Sequence, residues 1–225
     1  MRWNSWALAT AIAVALPAAA QQAPPAPAAR FVVVLDAAHG GDDSGGRLTS
    51  GQPEKAVTLA LSVRLRSLLA ARGIAVVTTR ESDASLPPNA RAAIANHANA
   101  QVCLSLHATE SGSGAHLFTS SLAPASSSLF TPWETAQAAW VTQSLALAGA
   151  LNSALLHAGM TVTLGRTGLI GVDSMTCPAV AVEIAPERDS DNSITAEPDN
   201  PDYQARVAAA LAAAVLEWRT EARQP

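Results

Sequence analysis

The chain has 225 residues, of which 49% are hydrophobic and 14% charged, and its formal net charge is −4. Lys55 is the sole lysine and no basic run occurs, so the composition excludes a basic nucleic-acid-binding protein. Length and hydrophobicity suffice for one well-packed domain, and no internal repeat is visible.

Residues 1–20, MRWNSWALATAIAVALPAAA, place Arg2 before a short apolar stretch and finish in Ala18-Ala19-Ala20. That is the pattern of a secretory signal peptide cleaved after a small residue, and it implies export to the periplasm or the cell exterior. Residues 21–30, QQAPPAPAAR, read as a Pro/Ala-rich linker. The stretch from Phe31 to about residue 223 is the expected domain. No later run is long and apolar enough to span a bilayer, so no stable membrane insertion is expected after signal cleavage.

FVVVL (31–35) is a β-branched run, as expected of a strand buried on both faces. Ala38 to Gln52 is a glycine-rich loop. A helix is predicted from near Pro53 and Glu54, with Val57, Leu61, Leu65 and Leu68 at helical spacing and Gly73 at its stop. IAVVTT (74–79) is the next strand, 88–100 a short helix and VCLSL (102–106) a third strand. Residues 109–132 are Ser-rich, with HLFTS (116–120) as a candidate strand. Thr131-Pro132-Trp133-Glu134 opens a helix running to about Ala158, with Val141, Leu145, Ala148 and Leu155 inward. AVAVEI (179–184) is another buried strand, and Asn200-Pro201 opens a terminal helix with Tyr203, Val207, Leu211 and Val215 on one face. Strands alternating with helices imply a single-domain α/β fold with a largely parallel sheet. Cys103 and Cys177 lie at or beside predicted strands. They either pair, as an oxidising compartment allows, or serve as small apolar residues.

In such sheets ligands gather beyond the carboxyl ends of the strands. The first strand leads to His39, the third ends in His107, and AVAVEI carries Glu183 near its end. Glu54 begins the first helix, on the same side of the sheet. Two imidazoles and a carboxylate suit Zn2+ with an open fourth position, and a leftover carboxylate suits a general base. Taken singly, each histidine also reads as a loop residue, Glu54 as a charge at the positive end of its helix, and Glu183 as the partner of an arginine.

VVVLDAAHGGDDSGG, PEKAVTLALSVRLRSLLAARGIAVVTTRESD, ARAAIANHANAQVCLSLHAT and CPAVAVEIAPE, in that order, resemble the zinc-dependent N-acetylmuramoyl-L-alanine amidases of the amidase 3 family. The resemblance spans most of 31–220. It implies a mixed, mainly parallel sheet flanked by helices, of the phosphorylase/hydrolase-like kind. It also implies zinc ligands at His39, Glu54 and His107, and a catalytic glutamate at Glu183. The implied substrate is peptidoglycan, cut at the amide between N-acetylmuramic acid and L-alanine. Ala37-Ala38 stand where a Pro-Gly pair is usual, Thr109 where Asn is common, and Ala185-Pro186 where Gly-Phe commonly follows. Arg80, which ends a strand, reads as a partner for a stem-peptide carboxylate or as a local pair with Asp83. Asp36 reads either as support behind a metal ligand or as a turn-forming residue. Asp42 and Asp43 read as solvated, and His97, His116 and His157 as structural or exposed.

The resemblance also admits a protein activator, because some relatives carry an inhibitory helix between the second histidine and the last glutamate. Here the first half of that interval reads as loop and the helix from Thr131 as a structural layer. Two rival readings share the fold: another zinc-dependent peptidoglycan peptidase, and a non-catalytic wall-binding protein.

Overall fold

The structure, a computed structural model, describes residues 30–125 and 132–221. The predicted leader, the linker up to residue 29, the Thr131 cap and the last two residues of the predicted domain lie outside the described residues. Strands β1 (Val32–Ala37), β2 (Ala75–Thr78), β3 (Val102–Ala108), β4 (Ala115–Ser120), β5 (Val162–Thr167) and β6 (Ala179–Ile184) form one sheet in the order β2-β1-β3-β6-β4-β5. The neighbours β2/β1, β1/β3, β3/β6 and β4/β5 are parallel, and β4/β6 is antiparallel. A small antiparallel hairpin, β7 (Glu187–Arg188) and β8 (Ile194–Ala196), follows β6. The predicted α/β domain with a mixed, mainly parallel sheet is the one observed.

The strand period of two divides the core. Val33, Leu35, Val102, Leu104, Leu106, Val180, Val182 and Ile184 face helices α1 (Glu54–Ala70), α3 (Val141–His157) and α4 (Pro201–Glu221). Those helices return Leu61, Leu65, Leu151, Leu155, Tyr203, Val207, Leu211 and Val215 to the same cluster. Val34 and Cys103 face the other way, toward α2 (Pro88–His97) and the segment 172–177. Asp36, Ser105, His107, Glu183 and His116 share that second parity, so the polar side chains gather on the face with the thinner cover. α4 starts where expected, because Asn200 Oδ1 accepts the N–H groups of Asp202 and Tyr203, each at 3.0 Å. Cys103 and Cys177 are bridged, with Cα atoms 6.2 Å apart. The bridge ties β3 to the residues that lead into β6, at the end of the sheet away from His107 and Glu183.

The helix predicted from Thr131 to Ala158 is two pieces, a 3-10 segment Trp133–Ala139 and α3, bent by 66°. Gln137 explains the break. Fully buried, it donates to the carbonyls of Met175 (2.8 Å) and Cys177 (2.7 Å) and accepts from Ser144 Oγ at 2.8 Å. Ser144 in turn accepts the Ala179 N–H at 2.9 Å, which sets the rotation of α3. The buried stripe is therefore centred on Ser144, Leu147 and Leu151, and Leu145, expected inward, is 44% exposed. β5 and the β7/β8 hairpin were not predicted. Among the described residues no single helix is long and apolar enough to cross a membrane.

Candidate active site

The chain turns sharply as it leaves β1. His39 takes φ 61°, a left-handed conformation uncommon for a non-glycine residue. Two buried guanidiniums hold the turn. Arg80 donates from Nε to Ala37 O (2.8 Å) and from Nη2 to Ala38 O (3.0 Å) and Lys55 O (2.7 Å). Arg91 donates from Nη1 to Ala37 O at 2.7 Å and from Nη2 to His39 O. Thr58 Oγ1 adds a bond to Ala38 O at 2.9 Å. With three successive carbonyls fixed by charged donors, the strained residue has no alternative path.

Arg80 does not fit either role expected of it. It is 4% exposed and its donors are spent on the fold, so it is closed to a substrate carboxylate. Asp83 pairs instead with Lys55 Nζ at 2.7 Å and accepts the Gly41 N–H at 2.7 Å. The strand-end position misled because the guanidinium folds back beneath the turn.

His39, Glu54 and His107 come together, with one ligand atom from each within 4.8 Å of the others. Glu54, at the start of α1, is buried between the rings. Its Oε2 lies 3.1 Å from His39 Nε2, and its Oε1 lies 2.9 Å from His107 Nδ1. Burial alone would push the Glu54 carboxyl up. Hydrogen bonds from His107, His39 and the Gly46 N–H outweigh it and hold the group well below the usual carboxylate range. The hydrogen bond with Glu54 raises His39 above its ordinary value, against burial and with help from Asp43. The pocket between the rings thus favours positive charge. A proton can supply that charge, and so can a metal ion, for which two imidazoles and a carboxylate are a suitable donor set.

Each imidazole is also supported from behind. Asp43 Oδ2 lies 2.8 Å from His39 Nδ1, which favours a proton on that nitrogen and turns Nε2 toward Glu54, where it can give up its proton to a metal ion. Asp43, read as solvated, is mostly exposed but has this specific partner. Behind His107, Nε2 is 3.4 Å from Ser105 Oγ, which donates to Asp36 Oδ2 at 2.9 Å. Asp36 is anchored through Oδ1 by Thr79 Oγ1 (2.7 Å) and Arg91 Nη1 (2.8 Å).

Gly45 presses against this group at φ 63°. A Cβ there would lie 2.6 Å from both Glu54 Oε2 and His39 Cδ2. Gly45→Ala is expected to weaken metal binding at this group by roughly 10- to 100-fold, as when other supports of a metal ligand are disturbed. Competitive titration with divalent metal ions checks this, and unchanged affinity would mean that the loop moves aside freely.

Glu183 is reached by strand register. It lies opposite His107 across the parallel β3/β6 pair, and opposite His116 across the antiparallel β4/β6 pair. Cross-strand partners share a face, so the three side chains stand in a row. Glu183 Oε2 is 2.8 Å from His116 Nδ1. His116 is the site residue that sequence reasoning missed, because nothing in the chain before folding says that β4 runs antiparallel. His39, His107 and Glu183 are 25%, 33% and 31% exposed at their side chains, which leaves the shelf open to a large substrate.

A family model described as N-acetylmuramoyl-L-alanine amidase matches residues 33–217. N-acetylmuramoyl-L-alanine amidase AmiA of Escherichia coli K12 is 38% identical over 102 residues, covering 44% of this chain and 35% of that protein. The germination-specific N-acetylmuramoyl-L-alanine amidase of Bacillus subtilis is 34% identical over 90 residues, covering 34% of this chain and 38% of that protein. These alignments span little more than a third of the length of each curated relative. The solved catalytic domain of CwlV, an N-acetylmuramoyl-L-alanine amidase from Bacillus (Paenibacillus) polymyxa var. colistinus, superposes with a TM-score of 0.67 at 25% identity, covering 84% of this chain and 98% of that one. The amidase structure from Clostridium difficile 630 shares the fold, with a TM-score of 0.67 at 21% identity over 85% of this chain and 97% of that one.

Proposed function

Because this chain belongs to the amidase 3 family of N-acetylmuramoyl-L-alanine amidases, we propose that it hydrolyses the amide between N-acetylmuramic acid and L-alanine in peptidoglycan. The products are a free stem peptide and a glycan stripped of it. The observation that carries the reading is the convergence of His39, Glu54 and His107, with Glu183 on the neighbouring strand. In this reading those three residues hold Zn2+, which, when bound, acidifies a water and polarises the scissile carbonyl. Glu183 takes the proton from the attacking water and returns one to the departing L-alanine amine. Asp43 holds the orientation of His39, and Asp36 that of His107 through Ser105. The buried arginines keep the turn of His39 from relaxing. We read residues 1–20 as a leader that carries the domain 31–223 out to the wall, where its substrate lies.

Mass spectrometry of purified peptidoglycan, digested with the zinc-loaded protein, tests this. Stem peptides beginning in L-alanine are expected, and the exported chain itself is expected to begin at Gln21. Shortened stems still attached to glycan would identify a peptidase, and intact peptidoglycan would overturn the reading.

A further inference from the structure

Resting on that reading, we propose that His116 is a positioning residue for Glu183, fixing one carboxylate oxygen so that the other remains for proton transfer. The contact is not a chance surface pair. His116 and Glu183 are register partners on adjacent strands, so the backbone itself brings the two side chains together. The His116 side chain is only 15% exposed, which protects the 2.8 Å contact from competing water.

The ring is also walled in. Gly112, at φ 84°, lies where any Cβ would collide with His116 Cε1 and Nε2, so this loop closes over the far edge of the imidazole. Arg188 Nε secures the loop by donating to Gly112 O at 2.9 Å. Phe118, two residues along β4 and on the same face, meets the ring edge-on with centroids 6.4 Å apart. A ring confined in this way presents Nδ1 to Glu183 in a single orientation. Since a carboxylate only accepts, the proton lies on Nδ1. With Oε2 engaged, Oε1 is the oxygen left to receive the proton of the attacking water.

A purely structural histidine predicts a different outcome, a loss of stability with turnover per folded molecule unchanged. The test compares His116→Ala and His116→Asn with the wild-type protein, all zinc-loaded, by kcat, KM, zinc content and thermal midpoint. Asn places its amide nitrogen close to the position of Nδ1 and restores the donor without the ring. His116→Ala is expected to lower kcat by roughly 10- to 100-fold, the usual cost of losing such a support. KM and zinc content should stay within twofold, and His116→Asn should recover most of the loss. Unchanged kcat in folded His116→Ala, or a loss that follows the thermal midpoint and is not recovered by Asn, would overturn the proposal. A second readout is independent of amidase activity. The 15N ring signals of His116 should show the Nδ1–H tautomer in the wild-type protein and a shift toward Nε2–H in Glu183→Ala. An Nε2–H tautomer in the wild-type protein would refute the positioning role. Absence of peptidoglycan cleavage by the wild-type protein, with the Nδ1–H tautomer present, would fault only the broader reading.

Discussion

Glu183→Gln is expected to lower kcat by about two to four orders of magnitude, the range that a positioned general base contributes. The substitution keeps the size and planarity of the side chain and removes its capacity to take a proton. β6 lies inside the sheet between β3 and β4, so the backbone at this position is held on both sides. His116 Nδ1–H can still donate to the amide oxygen of the glutamine. Fold and zinc content should therefore survive, leaving a protein that binds metal and peptidoglycan but turns over slowly. The measurement is the rate of stem-peptide release, with zinc quantified in the same preparation. Activity within twofold of wild type, with metal bound, would remove Glu183 from the mechanism.

Glu54→Ala should abolish both metal binding and activity. Glu54 is the one member of the group that touches both imidazoles, and its oxygens also accept the N–H groups of Gly46 (2.8 Å) and Ala108 (3.3 Å). Its removal leaves two rings with centroids 5.6 Å apart and no carboxylate between them. Affinity for zinc should fall by more than the roughly 100-fold seen when only the supports of a ligand are lost. The substitution also takes the acceptor from the Gly46 and Ala108 N–H groups, so the unfolding midpoint of the metal-free variant should fall below that of the metal-free wild-type protein. The decisive comparison is thermal. Zinc should raise the unfolding midpoint of the wild-type protein, since a ligand that binds only the folded state stabilises it, and leave that of Glu54→Ala unmoved. A zinc-dependent rise in the variant would show that Glu54 is not a ligand.

Much of this arrangement is legible in the sequence, because buried parallel strands announce themselves. FVVVL is an unbroken apolar run, VCLSL and AVAVEI are each interrupted by a single polar residue, and the rule that ligands gather beyond strand ends points to His39, His107 and Glu183. Glu54 follows because a helix that returns over the sheet starts on the same side. Less legible are features set by partners distant in the chain. β5 is an edge strand with most of its residues exposed, so it lacks the apolar run that marks β1 or β6. The break before α3 depends on Gln137 finding carbonyls 38 and 40 residues away, and helix-start signals carry no trace of that. Arg80 stands at a strand end like the site residues, yet its side chain turns inward to the carbonyls of Ala37 and Ala38, where β1 gives way to the loop 42 and 43 residues earlier. The same limit hid His116: alternation shows that a strand is present but not its direction.

The bridge between Cys103 and Cys177 closes a loop of 74 residues. Cutting it returns to the unfolded chain a freedom worth roughly 4 kcal/mol by the chain-entropy relation, a large share of the about 5–15 kcal/mol that holds a typical domain together. The strands it joins at one end carry His107 and Glu183 at the other. The stability of the shelf is therefore tied to redox state: with the thiols reduced, the β3/β6 ladder and the packing around it alone hold the pair in register, and the bridge adds its share when oxidised.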